Sequence, residues 1–279
     1  MSDRRLTPCN GRVAANSLKG LAAADAFVDG WPLRVIAPIA DLCRSPGGAR
    51  DRQLLMGDAV TVYEERDSHS FVQAEKDGYV GYVDSAALGE RPAPTHWVAV
   101  PGGHVYARAD MKSPDIAALV FGNAVTCVAH VPRFHETAMG GYIPKPQLWP
   151  IDKRFADPVT VAQMHFGVPY LWGGNSMHGI DCSGLVQASL LACGIACPGD
   201  SDMQEAALGV ALGDNSALRR GDLLFWNGHE AMMVDHETVI HANAHHMAVT
   251  YESLDAATRR IKAVGDGLPR ARRLLQKAD

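Results

Sequence analysis

The chain has 279 residues, enough for two or three domains, and its composition is that of a globular protein, with 47% hydrophobic and 20% charged residues. A formal net charge of −5 at pH 7 disfavours nucleic acid and anionic membranes as partners, since both attract a basic surface. No apolar run reaches the length that crosses a membrane.

The first segment, residues 1–30, carries Arg4, Arg5 and Lys19, but Asp25 interrupts its apolar stretch before a signal-peptide core can form. We therefore expect a cytoplasmic protein. The 6 cysteines are scattered without the pattern of a disulfide scaffold, which agrees with reduced thiols. We expect residues 1–30 to wrap one of two later parts of the chain, either a first small β-barrel predicted for residues 31–90 or a catalytic domain predicted for residues 151–279.

An internal repeat occupies the next part of the chain. The motif Leu-x-x-Gly-Asp-Ala-Val-Thr at 54–61 recurs as Leu-x-x-Gly-Asn-Ala-Val-Thr at 119–126, and Gly78-Tyr79-Val80 recurs as Gly141-Tyr142-Ile143. A period of about 65 residues with strands and turns in each copy predicts two small β-barrels in tandem. We assign them to residues 31–90 and 91–150. Pro144, Pro146 and Pro150 mark the boundary to a catalytic domain at 151–279.

The part from 151 onwards begins with helices and continues with strands, which is an α+β pattern. Asp181 is a good N-cap for a helix of about three turns that Gly194 ends. The predicted helices cover 160–165, the segment after Asp181, and 202–208, and the predicted strands cover 223–226, 231–234 and 238–241.

Cys182 is the candidate nucleophile, because it lies in the first turn of the helix that Asp181 begins. The positive end of the helix dipole favours thiolate over thiol there, so we expect an activated thiolate. The paired Gly173 and Gly174 upstream let the backbone turn close to a reactive centre. A buried structural cysteine is the bland alternative, which the polar neighbours Asp181 and Ser183 make less plausible.

Two histidines complete the composition of a thiol hydrolase. His229 follows a glycine turn, and His241 ends a short apolar run. A tight antiparallel turn at His236-Glu237 brings His241 back towards the start of the preceding strand, near His229. We expect His229 to be the base and His241 its orienting partner, because histidine can accept the imidazole N–H.

These motifs resemble those of the NlpC family of papain-like bacterial cell-wall peptidases. Five of them stand in the family's order over about residues 155–275, which makes the match specific. One departure is Glu230-Ala231 after the histidine, where the family usually has a small or aliphatic residue and then glycine. The Glu230 carboxylate either raises the basicity of His229 or points to solvent. The motifs are Tyr170-x-Trp172-Gly173-Gly174, Asp181-Cys182-Ser183-Gly184-Leu185, Gly221-Asp222-Leu223-Leu224-Phe225-Trp226, Gly228-His229 and Ile240-His241-Ala242.

The resemblance implies a fold and a chemistry. The helix that bears the cysteine would pack on an antiparallel sheet, and the tandem barrels resemble the bacterial SH3-like domains that precede this peptidase type. The implied activity is hydrolysis of γ-D-glutamyl-diamino acid bonds in short murein peptides during cell-wall peptide recycling, with no metal or organic cofactor.

The resemblance also implies roles for further residues. Tyr170 would donate to the oxyanion together with the Cys182 backbone N–H, and Asp200 with Ser201 would hold the free amine of the substrate. Three more residues are assigned to substrate binding by position, and they are Ser183 and Trp172 beside the nucleophile and Tyr79 in the first barrel.

Alternatives remain open. A metal site of His241, His245, His246 and Cys182 would consume the nucleophile, and the pair Cys193 and Cys197 has no second pair for a zinc knuckle. The same domain could act as an amidase or acyl hydrolase on a substrate outside peptidoglycan. A protein that binds murein fragments through its barrels, with a vestigial catalytic domain, is the other alternative.

Overall fold

A computed structural model of the chain describes residues 3–213 and 216–274. The chain is α+β and divides into two compact units between Lys153 and Arg154. Across the described residues, no helix combines the length and the apolar character needed to span a membrane.

Unit 1 consists of antiparallel β-structure, one short parallel pair and three single-turn 3-10 helices. The 3-10 helices are Asn16–Leu18, Ser85–Ala87 and Lys145–Gln147. Its strands are β1 (Val13–Ala15), β2 (Ala26–Val28), β3 (Trp31–Val35), β4 (Ile39–Cys43), β5 (Arg50–Leu55), β6 (Ala59–Arg66), β7 (His69–Ala74), β8 (Val80–Asp84), β9 (Leu88–Gly89), β10 (His96–Val98), β11 (Gly102–Tyr106), β12 (Asp115–Val120), β13 (Ala124–Val125), β14 (Cys127–His130), β15 (Phe134–Thr137), β16 (Tyr142–Pro144) and β17 (Leu148–Pro150).

Strands β3 to β9 form one sheet in the order β5-β4-β8-β7-β6-β3-β9. The N-terminal segment packs against this sheet, as one of the two sequence expectations had it. The backbone N–H of Val80 donates to the carbonyl of Arg5 at 2.7 Å. The guanidinium of Arg12 pairs with the carboxylate of Glu64, and Ala15 joins the apolar cluster of Tyr63, Phe71 and Val80. The segment is therefore part of the core of the first barrel.

The second set of strands forms a five-stranded sheet, β12-β11-β16-β15-β14, and a three-stranded sheet, β13-β10-β17. Together they enclose an apolar cluster that contains Val98, Val105, Leu119 and Ile143. Met56 from the first set also belongs to this cluster.

The two copies of the sequence repeat form equivalent turns. In the first copy the backbone N–H of Leu55 donates to Oδ2 of Asp58 at 2.8 Å, and in the second that of Val120 donates to Oδ1 of Asn123 at 3.0 Å. The glycine before each of these residues has a positive φ, 92° at Gly57 and 89° at Gly122, where a side chain would be strained. The conserved spacing of the two copies thus reflects one turn used twice.

The two turns also touch each other. The backbone N–H of Ala124 donates to the carbonyl of Met56 at 2.8 Å, and Nδ2 of Asn123 donates to the carbonyl of Pro38 at 2.7 Å. A Cβ on Gly57 would lie 2.6 Å from the carbonyl oxygen of Ala124, so this contact requires glycine.

Unit 2 contains four α-helices and eight strands within its described residues. These elements are α1 (Pro158–Met164), β18 (Asn175–Ser176), β19 (Gly179–Ile180), α2 (Cys182–Ala192), α3 (Ser201–Ala207), β20 (Val210–Ala211), β21 (Leu223–Trp226), β22 (His229–Met233), β23 (Thr238–Asn243), β24 (Ala248–Ser253), α4 (Leu254–Ala263) and β25 (Arg270–Arg273).

The sheet of unit 2 is antiparallel, in the order β20-β25-β21-β22-β23-β24. Helix α2 packs on one face, where Leu185 and Leu190 meet Phe225 and Ile240. Helix α4 covers the other face and contributes Ala257 and Ile261 to a second cluster. Both faces are buried, which is why β21 to β23 read as nearly continuous apolar runs.

The predicted elements of unit 2 form with small shifts of their ends. Helix α1 begins at Pro158, before the predicted 160, because Asp157 caps it by accepting from Val159 and Thr160. Strand β22 begins at His229, before the predicted 231, because a tight turn pairs Trp226 with His229. Helix α3 covers 201–207, one residue before its predicted bounds.

Candidate active site

Cys182 is the first residue of α2, and Asp181 fixes the start of this helix. Oδ1 of Asp181 accepts from the backbone N–H of Gly184 at 2.7 Å and from the Ser183 hydroxyl at 3.2 Å. Its Oδ2 accepts from the backbone N–H of Gly173 at 2.9 Å. The helix ends at Ala192, and Gly194 follows with φ 71°. The predicted N-cap is present, and the same carboxylate also ties the glycine turn to the start of α2, which the sequence did not predict.

The surroundings of the Cys182 thiol oppose its ionisation. The residue is only 8% exposed, and burial raises the pKa of its thiol well above the ordinary range. The carboxylates of Asp181 and Glu230 raise this pKa further, while the backbone N–H groups of Glu230 and Ser183 act in the opposite direction. Desolvation therefore acts against the thiolate that the sequence predicts at the helix N-terminus, and the activated thiolate stays a prediction.

Four side chains from four elements form a continuous chain of contacts. Nε2 of His229 lies 3.0 Å from Nδ1 of His241, and Nε2 of His241 lies 3.1 Å from Oε2 of Glu252. The guanidinium of Arg260, on α4, reaches the same carboxylate at 2.7 Å. Strands β22, β23 and β24 and helix α4 each supply one member. The predicted contact of His229 with His241 is present.

This chain of contacts fixes which nitrogen carries each proton. An ionised carboxylate can only accept, so Nε2–H of His241 donates to Glu252. Nδ1 of His241 then holds a lone pair and accepts from Nε2–H of His229. Nδ1 of His229 is left without a proton and is the basic nitrogen of the site. Arg260 keeps Glu252 ionised, since its hydrogen bond lowers the pKa of this carboxyl against the effect of burial.

Both rings are neutral at pH 7. Burial lowers the pKa of His229 to about 4, and Arg260 lowers it further while Glu252 raises it. Burial and the neighbouring His229 lower the pKa of His241 to about 3. These shifts favour neutral imidazoles, with the tautomers that the chain of contacts sets.

The sulfur of Cys182 lies beside the beginning of β22, the strand that His229 starts. The backbone N–H of Glu230, the residue after His229, is close enough to the sulfur to lower the thiol pKa. Within the described residues the hydrogen bond of the His229 ring goes to His241, and none joins it to Cys182. Contacts of this kind are often loose before substrate binds.

Glu230, the departure from the family's motif, is fully buried at 0% exposure. It therefore does not point to solvent. Its carboxylate contributes to the raised pKa of Cys182, and its effect is on the nucleophile. On a strand, neighbouring side chains point to opposite faces, so Glu230 is directed away from the His229 ring.

Tyr170 lies beside the nucleophile, as the resemblance implies. Its backbone forms a bridge to Ile180, two residues before Cys182. Burial raises the pKa of its phenol, and Cys182 and Asp181 contribute to the rise. The phenol is thus protonated at pH 7 and can donate a hydrogen bond.

Asp200 is the N-cap residue of α3 and is partly exposed, while Ser201 is the first residue of the helix. Two buried glutamines position the loop before Asp200, and sequence reasoning missed both. Nε2 of Gln187 donates to the carbonyls of Cys197 and Pro198 at 3.1 Å, and Nε2 of Gln204 donates to Ser183 at 3.0 Å. This network holds the start of α3 next to the start of α2.

The other residues assigned to substrate binding differ in exposure. Trp172 is 70% exposed and Ser183 is buried, with its hydroxyl on Asp181. Tyr79 lies in unit 1 at 2% exposure, with the guanidinium of Arg52 6.0 Å from its ring centroid. The contact of Tyr79 with substrate stays a prediction, and its burial gives that contact no support.

The alternative metal site in unit 2 does not form among residues 3–213 and 216–274. His245 and His246 are exposed in a turn, where the backbone and ring nitrogens of His246 contact Asn243. Cys197 is packed in the core, with its thiol towards the carbonyl of Pro198. Within the described residues, a group of metal-ligating atoms is instead found in unit 1, on His96, Cys127 and His135.

Glu252 and Arg260 are the site residues that the sequence did not reveal. They lie on β24 and α4, which sequence analysis left unassigned. The alternation of Val249 and Tyr251 with Thr250 and Glu252 was the available signal for this strand.

The family of the second unit follows from a match of sequence profiles. The profile of the NlpC/P60 family matches residues 167–265 and so includes Cys182, His229 and His241. Residues 167–265 belong to the NlpC/P60 family. The profile described as the bacterial dipeptidyl-peptidase SH3 domain matches residues 42–88. The chain therefore carries an NlpC/P60 domain and a bacterial SH3 domain.

Several characterised proteins are similar to this chain. Dipeptidyl-peptidase 6 of Lysinibacillus sphaericus is 34% identical over 99 residues, which are 35% of this chain and 35% of that protein. The γ-D-glutamyl-L-lysine dipeptidyl-peptidase of Bacillus subtilis is 41% identical over 71 residues, 25% of this chain and 23% of that protein. The matched part thus spans about a third or less of these relatives.

A crystal structure of an NlpC/P60 family protein from Bacillus cereus matches 88% of this chain and 100% of its own, with a TM-score of 0.74. At 20% identity this likeness concerns the fold alone. The prediction of an α+β fold with a papain-like domain is confirmed.

Proposed function

We propose that the chain is a cysteine peptidase that hydrolyses the γ-D-glutamyl-L-diamino acid bond of free murein peptides with an unblocked N-terminal L-Ala. It would act in the cytoplasm, in cell-wall peptide recycling. The observation that carries the chemistry is the hydrogen-bonded pair of His229 and His241 beside the helix that begins at Cys182. The names of the dipeptidyl-peptidase relatives support the class of substrate.

The first half-reaction begins from the neutral thiol. As Sγ of Cys182 attacks the γ-carbonyl carbon, its proton passes to Nδ1 of His229 and a C–S bond forms. The oxyanion accepts hydrogen bonds from the backbone N–H of Cys182 and the hydroxyl of Tyr170. His229 then gives the proton to the leaving amine of the diamino acid, and the C–N bond breaks.

The second half-reaction releases the dipeptide. Water attacks the thioester while Nδ1 of His229 accepts its proton, and the collapsing intermediate returns the proton to sulfur. His229 is an imidazolium twice in each cycle. Glu252 stabilises that cation through His241, so we assign Glu252 as a positioning residue rather than a catalytic one.

The substrate preference rests on Asp200. Its partly exposed carboxylate at the start of α3 lies on a loop that Gln187 and Gln204 fix relative to α2. A carboxylate near the nucleophile would pair with the ammonium of an unblocked L-Ala. Once bound substrate encloses this carboxylate, an acylated nitrogen would leave its charge without a partner, at a cost of about 3–5 kcal/mol or a hundred-fold or more in rate.

The test compares one peptide in two forms by mass spectrometry. Free L-Ala-γ-D-Glu-diaminopimelate should be cut after glutamate, and its N-acetylated form should react at least a hundred-fold more slowly. The L-lysine peptide is run beside it to define the diamino acid. Equal rates on the free and blocked peptides would reject the amine clamp and with it the recycling role.

Two variants separate the clamp from the fold of α3. Asp200→Asn should lower kcat/KM on the free peptide and shrink its advantage over the blocked one. Asp202→Asn alters an exposed carboxylate in the same helix and should leave that ratio unchanged. Turnover of simple amides or esters but not of either peptide would favour the amidase alternative, and binding without turnover the vestigial one.

A further inference from the structure

The second half of unit 1 holds a cluster of four metal-ligating side chains that no part of the proposed reaction uses. The ligand atoms of His96, Cys127 and His135 all lie within 4.8 Å of one another. Nδ1 of His130 is 2.8 Å from Nδ1 of His135. The ring centroids of His96 and His135 are 4.6 Å apart, and those of His130 and His135 4.8 Å.

A β-bulge brings three of these residues to one face of the β14–β15 hairpin. His130 is opposite His135, and Ala129 is opposite Glu136, but the register then shifts so that Cys127 is opposite Thr137. The extra residue lets Cys127 and His130, three positions apart, point the same way, whereas a regular strand would send them to opposite faces. Thr137 is opposite Cys127, and His135 lies two residues before Thr137 on the same strand, so the side chain of His135 is on the same face. Bulges commonly re-aim a side chain in this manner.

The fourth residue comes from a different strand and has its ring held in place. Nδ1 of His96 lies 2.9 Å from Oγ1 of Thr95, and this hydroxyl also accepts from the backbone N–H of Cys127 at 2.9 Å. The Nε2 atom of His96 is thereby left for the cluster. A hydroxyl on the second ring nitrogen is the kind of outer partner that orients metal-binding histidines.

A zinc ion would take the lone pairs of the three imidazoles and the thiolate of Cys127. Lys145 follows Pro144, which pairs with Phe134 in the adjacent strand, and its charge acts against a cation.

We propose that His96, Cys127, His130 and His135 form a tetrahedral zinc site that fastens the bulged hairpin to β10. Three imidazoles and one thiolate are donors that Zn²⁺ prefers, and bond lengths of about 2.0–2.3 Å place such donors about 3.3–3.6 Å apart. The ligand atoms of His96, Cys127 and His135 lie within 4.8 Å of one another, and His130 joins them through its 2.8 Å contact with His135, so side-chain rotations would bring the four donors to these separations. Binding releases one proton, from the Cys127 thiol.

The test measures binding of zinc by the full chain after removal of metal by a chelator. The unmodified protein should bind one Zn²⁺, with a thiolate-to-metal charge-transfer band when Co²⁺ replaces it. His130→Gln alters an exposed residue and should fold, yet weaken zinc binding by at least tenfold. Cys127→Ser should weaken binding more and remove the band.

Three controls identify the place of binding. Cys182→Ala removes the thiol of the candidate active site and Cys193→Ser an unrelated one, and both should keep stoichiometric zinc and the band. Lys145→Gln should tighten binding, since it removes the opposing charge. Zinc that is absent from the unmodified protein, or retained by His130→Gln and Cys127→Ser with unchanged affinity, would overturn the proposal.

Discussion

At the scale of single residues, burial opposes charge on both the candidate nucleophile and the candidate base. Burial raises the pKa of Cys182 and lowers that of His229, so each group opposes the ion pair that a helix N-terminus would favour. Charge then appears only as the reaction proceeds, where the His241–Glu252 contact can stabilise it. The contacts of His229 and His241 therefore hold His229 in one tautomer, with Nδ1 available to accept the thiol proton, rather than as the partner of a preformed thiolate.

Alkylation of Cys182 distinguishes these two states. With a raised thiol pKa, the rate of its reaction with iodoacetamide should climb by about tenfold per unit between pH 6 and pH 9, because the thiolate fraction does so. Peptide mapping by mass spectrometry follows Cys182 separately, and the Cys182→Ala protein identifies the background from other thiols. A rate that is already constant at pH 6 would indicate the ion pair instead.

Glu252 and Arg260 should move the pH profile in opposite directions. The base must be neutral, so kcat/KM of the unmodified enzyme should fall on the acid side near pH 4, the pKa of His229. Glu252 raises that pKa and Arg260 lowers it. Glu252→Gln should therefore shift the acid limb to lower pH, and Arg260→Gln should shift it to higher pH.

The direction of the shift is the decisive readout. Glu252→Gln keeps an oxygen that accepts from Nε2–H of His241, so the ring stays oriented while the charge is lost. If Glu252 and Arg260 were purely structural, Glu252→Gln and Arg260→Gln would each lower kcat/KM but leave the acid limb of the pH profile where it is in the unmodified enzyme. Such an outcome would remove Glu252 from the positioning role.

At the scale of elements, the site depends on the loops that begin its helices. Asp181 caps α2 and also fixes the glycine turn, whereas Asp157 caps α1 away from the nucleophile. The two caps allow a matched comparison of stability with activity.

Asp181→Ala and Asp157→Ala should each lower the free energy of unfolding by about 0.5–2 kcal/mol, measured by urea denaturation. The loss at Asp157 should be at least as large, because that carboxylate also pairs with Arg220. Only Asp181→Ala should reduce kcat more than tenfold, since it frees the Gly173 turn and the start of α2. Equal activity losses in the two variants would show that the cap acts through stability alone.

Sequence patterns predicted those elements whose signals are local. The cap at Asp181, the glycine after α2, the turn at 236–237 and the repeated Gly-Asp/Asn turn are each encoded within a few residues. They placed Cys182 and His241 in their elements, whereas His229 was expected in the turn before the strand that it in fact begins.

Two kinds of feature escaped sequence reasoning. Contacts between distant elements are one, such as that of Glu252 with His241, whose register only the sheet defines. The balance of burial against the helix dipole at Cys182 is the other, because the depth of a residue is a property of the packed fold. The four residues of the proposed zinc site escaped for the first reason, as their spacing follows no common motif.

At the scale of the whole molecule, buried histidines make stability depend on pH. The pKa of His229, His241 and His165 is below the ordinary 6.5 in the folded state. As pH falls through 6.5 the unfolded chain binds protons that the folded chain does not, so stability present above this pH is lost below it.

The urea midpoint should therefore decrease from pH 7.5 to pH 5, measured with a chelator present to keep metals from contributing. His165→Gln removes one such group outside both proposed sites, where the ring is 1% exposed and contacts the carbonyl of Val161. The decrease should be smaller in this variant. A midpoint that is constant or rises towards pH 5 would contradict the assignment of neutral buried histidines.

The contact between the two repeated turns has a mechanical consequence. Ala124 and Asn123 of the second set of strands are bonded to Met56 and Pro38 of the first, and Met56 belongs to the apolar cluster of the second set. A pulling force applied across this region would act on both sets of strands through the contact between the two turns. The two sets of strands would then unfold together, in one step that releases about 120 residues, or about 400 Å of extended chain. Under force the two sets of strands would thus act as one mechanical unit.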